Sequence, residues 1–193
     1  MALTKVQAGL LEATGTASAS TFLRGDGAWA APIASGSVVQ VVSTTLPTTF
    51  SMSGASFVEI TGLTATITPT STSSKILVAV HLGRVAPNIN LGGTVAVRLM
   101  RGATVIGAGT PSGSQLATSF VSTGNQNGNY VHSSQSTQFL DSPNTASATT
   151  YSVQILGESS IIVYINRSYV GGTGATTYEA ASASTITLME IAA

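Results

Sequence analysis

The chain has 193 residues, enough for one domain with a hydrophobic core, or for one domain plus an arm. Lys plus Arg number 7 and Asp plus Glu number 7, so the net charge is zero, and charged residues make up 7% of the chain against about 25% in ordinary globular domains. That balance gives no electrostatic footprint for nucleic acid or an anionic membrane, and the absence of cysteine excludes disulfides, thiolate metal sites and a Cys nucleophile.

From the N-terminus, Met1-Ala2-Leu3-Thr4-Lys5 has no long apolar core behind its charge, so no signal peptide is expected. Leu3, Val6 and Leu10 fit one helical face, but Gly9 and Gly15 limit it to a turn or two. Phe22 to Trp29 follows, with Arg24-Gly25-Asp26-Gly27 at its centre. Two glycines flank Asp26, and Asp favours turns through bonds to its own backbone. The segment predicts a tight reversal pinned by Phe22, Leu23 and Trp29, closing an N-terminal arm over residues 1–34. In this setting the Arg-Gly-Asp tripeptide is a turn and not an integrin signal.

From residue 35 onward the chain is dense in Val, Ile and Thr, which suit a pleated surface. Ile76, Val78, Val80 and Leu82 alternate on one face, as do Val95, Val97 and Leu99. Tyr151, Val153 and Ile155 repeat the pattern, followed by Ile161, Val163 and Ile165, then Ile186 and Leu188. Residues 38–43, 57–62, 63–68, 115–121 and 130–140 read as further strands. The total is about eight to ten, separated by Gly, Pro, Asn and Ser turns. This predicts an all-β domain over residues 35–193, an antiparallel β-sandwich or jelly roll with an extended N-terminal arm. The longest apolar runs are far short of the roughly 20 residues of a spanning helix. Met100 opposite Leu99, and Ile162 and Tyr164 opposite Ile161 and Val163, give some strands two apolar faces. A second copy of the chain is the simplest cover, so a closed homo-oligomer is expected.

Little here supports catalysis. His81 lies in an apolar strand and His132 in a polar stretch, without metal-ligand spacing around either. The acids Glu12, Asp26, Glu59, Asp141, Glu158, Glu179 and Glu190 stand singly, so no carboxylate pair is legible. The Gly-rich stretches lack the Lys and helix of a phosphate loop. No enzyme activity and no cofactor are expected. Asn166-Arg167-Ser168 matches a glycosylation acceptor, but it ends a strand and no secretion signal supports its use. Residues 124–138, GNQNGNYVHSSQSTQ, combine amides, hydroxyls and a ring. Asn125, Gln126, Asn127, Asn129, Tyr130 and His132 there suit contact with a host-surface glycan.

The segment GTASASTFLRGDGAWAAP resembles the joining stretch S-T-F-L-R-G-D-G-x-W of tail-fibre and other surface proteins of tailed bacteriophages; Ser20 to Gly27 and Trp29 match it without a break. Five ordered blocks (38–45, 57–78, 98–109, 163–169 and 184–193) are similar to a domain common in phages of cyanobacteria and marine bacteria. The resemblance implies a jelly-roll-like domain, usually trimeric, displayed on the virion surface after synthesis in the host cytoplasm, with no catalytic residues. Residues 1–34 would then hold other virion proteins through Leu3, Val6, Leu10, Phe22, Leu23 and Trp29. A tail-fibre knob that attaches to the host is the leading expectation. The sequence enters the joining motif without shaft repeats, which makes a capsid cement or decoration protein the alternative.

Overall fold

A computed structural model describes residues 14–25, 27–88, 94–123, 133–158, 161–169 and 180–193. The chain divides into two compact units, Met1–Ser37 and Val38–Ala193. Leu3, Val6, Leu10 and Asp26 lie outside the described residues, as does the segment that holds Asn125, Gln126, Asn127, Asn129, Tyr130 and His132.

The first unit is built on a reversal. β1 (Phe22–Leu23) and β2 (Trp29–Ala30) pair antiparallel, with Leu23 opposite Trp29. The Gly27 amide donates to the Arg24 carbonyl at 3.0 Å, and the Arg24 amide to the Ala28 carbonyl at 2.8 Å. Gly27 takes a φ of 81°, which a side chain rarely adopts. The chain before the hairpin adds a third row. The Thr14 amide donates to the Gly27 carbonyl at 3.0 Å, and the Trp29 amide to the Thr14 carbonyl at 2.8 Å. Gly15 permits this approach, since a Cβ there would stand 2.8 Å from the Trp29 carbonyl oxygen. The expected reversal is present, but backbone bonds hold it and not buried rings: Phe22 is 49% exposed.

The second unit is all-β among its described residues. Its strands are β3 (Val38–Leu46), β4 (Phe50–Ser53), β5 (Val58–Ile67), β6 (Lys75–Pro87), β7 (Thr94–Arg101), β8 (Thr104–Ile106), β9 (Phe120–Thr123), β10 (Ser133–Asp141), β11 (Thr149–Gly157), β12 (Ile162–Ile165) and β13 (Ser184–Ile191). They form two antiparallel sheets. The six-stranded sheet runs β3-β13-β6-β12-β4, with β10 on the other edge of β6. The five-stranded sheet runs β5-β11-β7, with β8 and β9 sharing the far edge of β7.

The alternation predicted from sequence sorts the core. Ile76, Val78, Val80 and Leu82 of β6 point inward with Ile186 and Leu188 of β13 and Val163 and Ile165 of β12. From the other sheet, Val95, Val97 and Leu99 meet them, together with Tyr151, Val153, Ile155, Ile60, Leu63 and Ile67. One contiguous core lies between the sheets, as in a β-sandwich. Burial of these side chains supplies the main stabilisation, at about 1.5–3 kcal/mol each.

Several boundaries differ from expectation. Residues 57–62 and 63–68 are one strand, β5, and not two. Gly62 breaks the sequence pattern, but its φ of 85° makes an irregularity where the pairing with β11 shifts between Ser152 and Gln154. The strand expected over 115–121 is β9, which begins only at Phe120. β4 and β8 were not expected. The second apolar face of β7 also needs no second copy at Ala96 and Met100, because the chain itself buries both. Ile162 and Tyr164 remain half-exposed.

Candidate functional site

The outer face of the six-stranded sheet turns away from the core between the sheets. Register alone arranges it. Val41, Met189, Leu77 and Leu140 lie side by side across β3, β13, β6 and β10. Two residues along, the row is Ser43, Thr187, Ala79 and Gln138, and beyond it Thr45, Thr185, His81 and Ser136. None of these twelve carries a carboxylate, ammonium or guanidinium. Val41 is 55% exposed and Leu140 47%. The polar rows pair within themselves: Ser43 and Thr187 hydroxyls lie 2.9 Å apart, and His81 Nδ1 is 2.8 Å from Ser136 Oγ. His81 is thus a partnered sheet residue, as expected. A shallow depression opens over Ala79, between the longer Thr187 and Gln138.

On the five-stranded sheet, Arg98 lies 3.8 Å over the Phe57 ring, and its Nε donates to Gln154 Oε1 at 2.8 Å. Burial lowers its pKa from the ordinary arginine value. An apolar trough lies nearby, floored by Ala96 and edged by Leu116. On β12 and the turn after it, Arg167 stands 4.6 Å over the Tyr164 ring, and Tyr169 lies 6.1 Å from Tyr164. Among the described residues no cluster of three or more His, Cys, Asp or Glu could hold a metal, and no helix is long and apolar enough to cross a membrane.

Three buried polar residues, which the sequence reading named but gave no role, organise the interior. Asn166, fully buried, donates to the Leu46 and Thr48 carbonyls at 2.8 and 3.0 Å and accepts from Ser184 Oγ at 2.7 Å. Its amide is consumed inside the fold, so the Asn-Arg-Ser triplet offers nothing to a glycosyltransferase. Asp141, at the end of β10, accepts from Arg101 Nη1 at 2.8 Å and from Tyr151 Oη at 2.7 Å. Burial, and then the bond to Asp141, push the Tyr151 hydroxyl well above its usual pKa, so it stays a neutral donor.

Glu190 is the third, fully buried on β13. Burial by itself would raise its pKa. Donors outweigh that: the Thr70 hydroxyl at 2.6 Å, the Gln40 amide at 2.6 Å, Ser74, and the Thr70 backbone amide at 2.7 Å. Together they lower it from 4.5 to about 2. A folded-state value below the unfolded one stabilises above the unfolded pKa, and that stabilisation is lost as pH falls through the folded one. At most about 3 kcal/mol is at stake. Urea unfolding should show stability declining between pH 4.5 and about 2. Glu190→Gln should be weaker at pH 7 and should flatten that part of the profile. An unchanged acid limb in the variant would remove Glu190 as its cause.

No family model matches the chain, and no curated protein matches it. Among solved structures it is similar to a chain in "Structure of infectious bursal disease virus Gx strain", with a TM-score of 0.34 and 12% identity. The match covers 86% of this chain and 40% of that one, so this chain spans less than half its length.

Proposed function

We propose that this is a non-enzymatic structural protein of a tailed-bacteriophage virion, a homotrimeric surface knob of the tail-fibre type. The observation that carries the reading is the S-T-F-L-R-G-D-G-x-W segment. It forms a self-contained hairpin immediately before a β-sandwich, as a joining element should. Composition supports the same reading: a surface of hydroxyls and amides with few charges suits a part fixed in an assembly. The first unit holds the neighbouring virion protein. Its hairpin leaves Phe22 and Leu23 outward, and an isolated two-stranded hairpin is marginal in water unless something packs on it. The sandwich then presents its loops to a host-surface glycan, with residues 124–138 as contact segment.

Gold-labelled antibody against residues 38–193, applied to intact virions, tests this directly. Label at the tail is the expected result and would direct loop substitutions to residues 124–138. Label spread over the head would replace the tail-fibre role with capsid decoration. Absence of the protein from purified virions would end both.

A further inference from the structure

Elsewhere on the surface, hydroxyls satisfy one another: Ser43 with Thr187, Thr66 with Thr150, Ser71 with Ser73. Around the trough on the five-stranded sheet they do not. Among the described residues, the hydroxyls of Thr94, Thr110 and Thr118 and the Nε2 of Gln115 have no hydrogen-bond partner. Register places the floor between them. On β7, Arg98, Ala96 and Thr94 face outward, opposite Gln154, Leu156 and Glu158 of β11. Val121 of β9 flanks Ala96 on the other side. Ala96 is thus a small residue between two larger ones, and two hollows meet there, either side of Leu116. The one beside Leu156 has a volume of about 460 Å³, within the roughly 300–1,000 Å³ of ligand sites.

Arg98 stands at the rim of that hollow. Its guanidinium lies 3.8 Å over the Phe57 ring. Phe57 is one residue before Val58, the partner of Ile155, so it flanks Leu156. Two contacts hold the guanidinium: the ring beneath it and the bond from Nε to Gln154 Oε1 at 2.8 Å. Both Nη groups have no partner among the described residues. Gln154 turns its oxygen to Arg98, which leaves its Nε2 a donor as well. Burial disfavours this charge, and no carboxylate offsets that among the described residues. Glu59, opposite Gln154 on β5, forms no ion pair with it.

Two open Nη groups in one plane match the two oxygens of a carboxylate. A body attached to that carboxylate runs away from Glu59, over Leu156 and Ala96. The floor there is apolar and the rim carries hydroxyls and an amide. A sugar ring has the same division, with C–H groups on its faces and hydroxyls at its edge. A hydrocarbon acid would leave the rim donors unused. We propose that this hollow binds an acidic saccharide, a hexuronate, with its carboxylate on Arg98 and its ring on Leu156 and Ala96. Its hydroxyls turn toward Thr94 and the donors past Leu116. The inference rests on the host-glycan reading above and names the sugar class and a contact face.

Nuclear magnetic resonance of the full chain tests it, following the Arg98 Nε–H and the Leu116 methyls. Methyl β-glucuronide should shift both, saturably. Methyl β-glucoside differs only by CH₂OH in place of the carboxylate and should bind about tenfold more weakly. Arg98→Gln should bring the glucuronide down to that level. Arg98 also packs on Phe57, so a second variant leaves that contact whole: Leu116→Ser, at an exposed position, should weaken both sugars severalfold with the Arg98 signal in place. Equal affinity for the two sugars overturns the acidic class. Acetate matching the glucuronide overturns the saccharide and leaves an adventitious ion only. No shift with any probe overturns the site. Gold label at the virion tail without sugar binding leaves the tail-fibre reading standing and this site overturned. Sugar binding by a protein absent from virions supports the site and ends that reading.

Discussion

Replacing Asn166 by alanine should cost about 4 kcal/mol, read as a lower denaturant midpoint at unchanged slope. The side chain is the partner of three groups: the Leu46 carbonyl, the Thr48 carbonyl and the Ser184 hydroxyl. Alanine leaves all three without it in a site that is fully buried. An unsatisfied buried polar group costs about 1–3 kcal/mol. The backbone adds to this, because Asn166 sits at a φ of 64°, in the left-handed region that asparagine tolerates better than alanine does. Two comparisons separate the contributions. Asn166→Gly relieves the backbone but restores no bond, so it should recover only about 1 kcal/mol. Asn144 has a similar φ of 54° but is exposed, and Asn144→Ala should cost about 1 kcal/mol at most. If Asn166→Ala and Asn144→Ala cost the same, the buried bonds contribute nothing net.

The second large effect should come from Asp141→Ala, again about 4 kcal/mol. Asp141 ends β10 on one sheet, while Arg101 and Tyr151 belong to β7 and β11 on the other. Its carboxylate is therefore a tie between layers. Removing it takes away the acceptor of a buried tyrosine hydroxyl and leaves a partly buried guanidinium, among the described residues, with the Ser142 carbonyl at 3.2 Å. Tyr151→Phe alone should cost about 1 kcal/mol, the net value of one hydrogen bond. In the Asp141→Ala background the same change should be neutral or stabilising, since the hydroxyl is then a burden. Additive costs for the two changes would show that Tyr151 and Asp141 are not coupled.

The strands that were legible are those in which a β-branched or aromatic residue recurs every second position: β6, β7, β11, β12 and β13. Their inward residues are the core. β4 and β8 have four and three residues, too short for a period to declare itself. β5 was divided because Gly62 reads as a breaker, and only the pairing with β11 shows that the strand continues through it. Asn166, Asp141 and Glu190 were illegible for another reason. Each is a single polar residue whose partners lie elsewhere in the chain, 120 positions away for Asn166 and Leu46. No local pattern announces such a contact. The outer face of the six-stranded sheet was half legible. Outward apolar positions can be read from alternation, but the alignment of Val41 with Met189, Leu77 and Leu140 requires the register of four strands.

That register also gives the sandwich two distinct poles. The chain enters it at Val38 and leaves at Ile191, and these two residues are opposite one another. A tether at either terminus therefore grips the same pole. Ser133 and Val85 mark the opposite one. Tension applied along β3 from its entry end would be shared by the row of bonds to β13 at once, as in a lap joint, and not passed from one bond to the next.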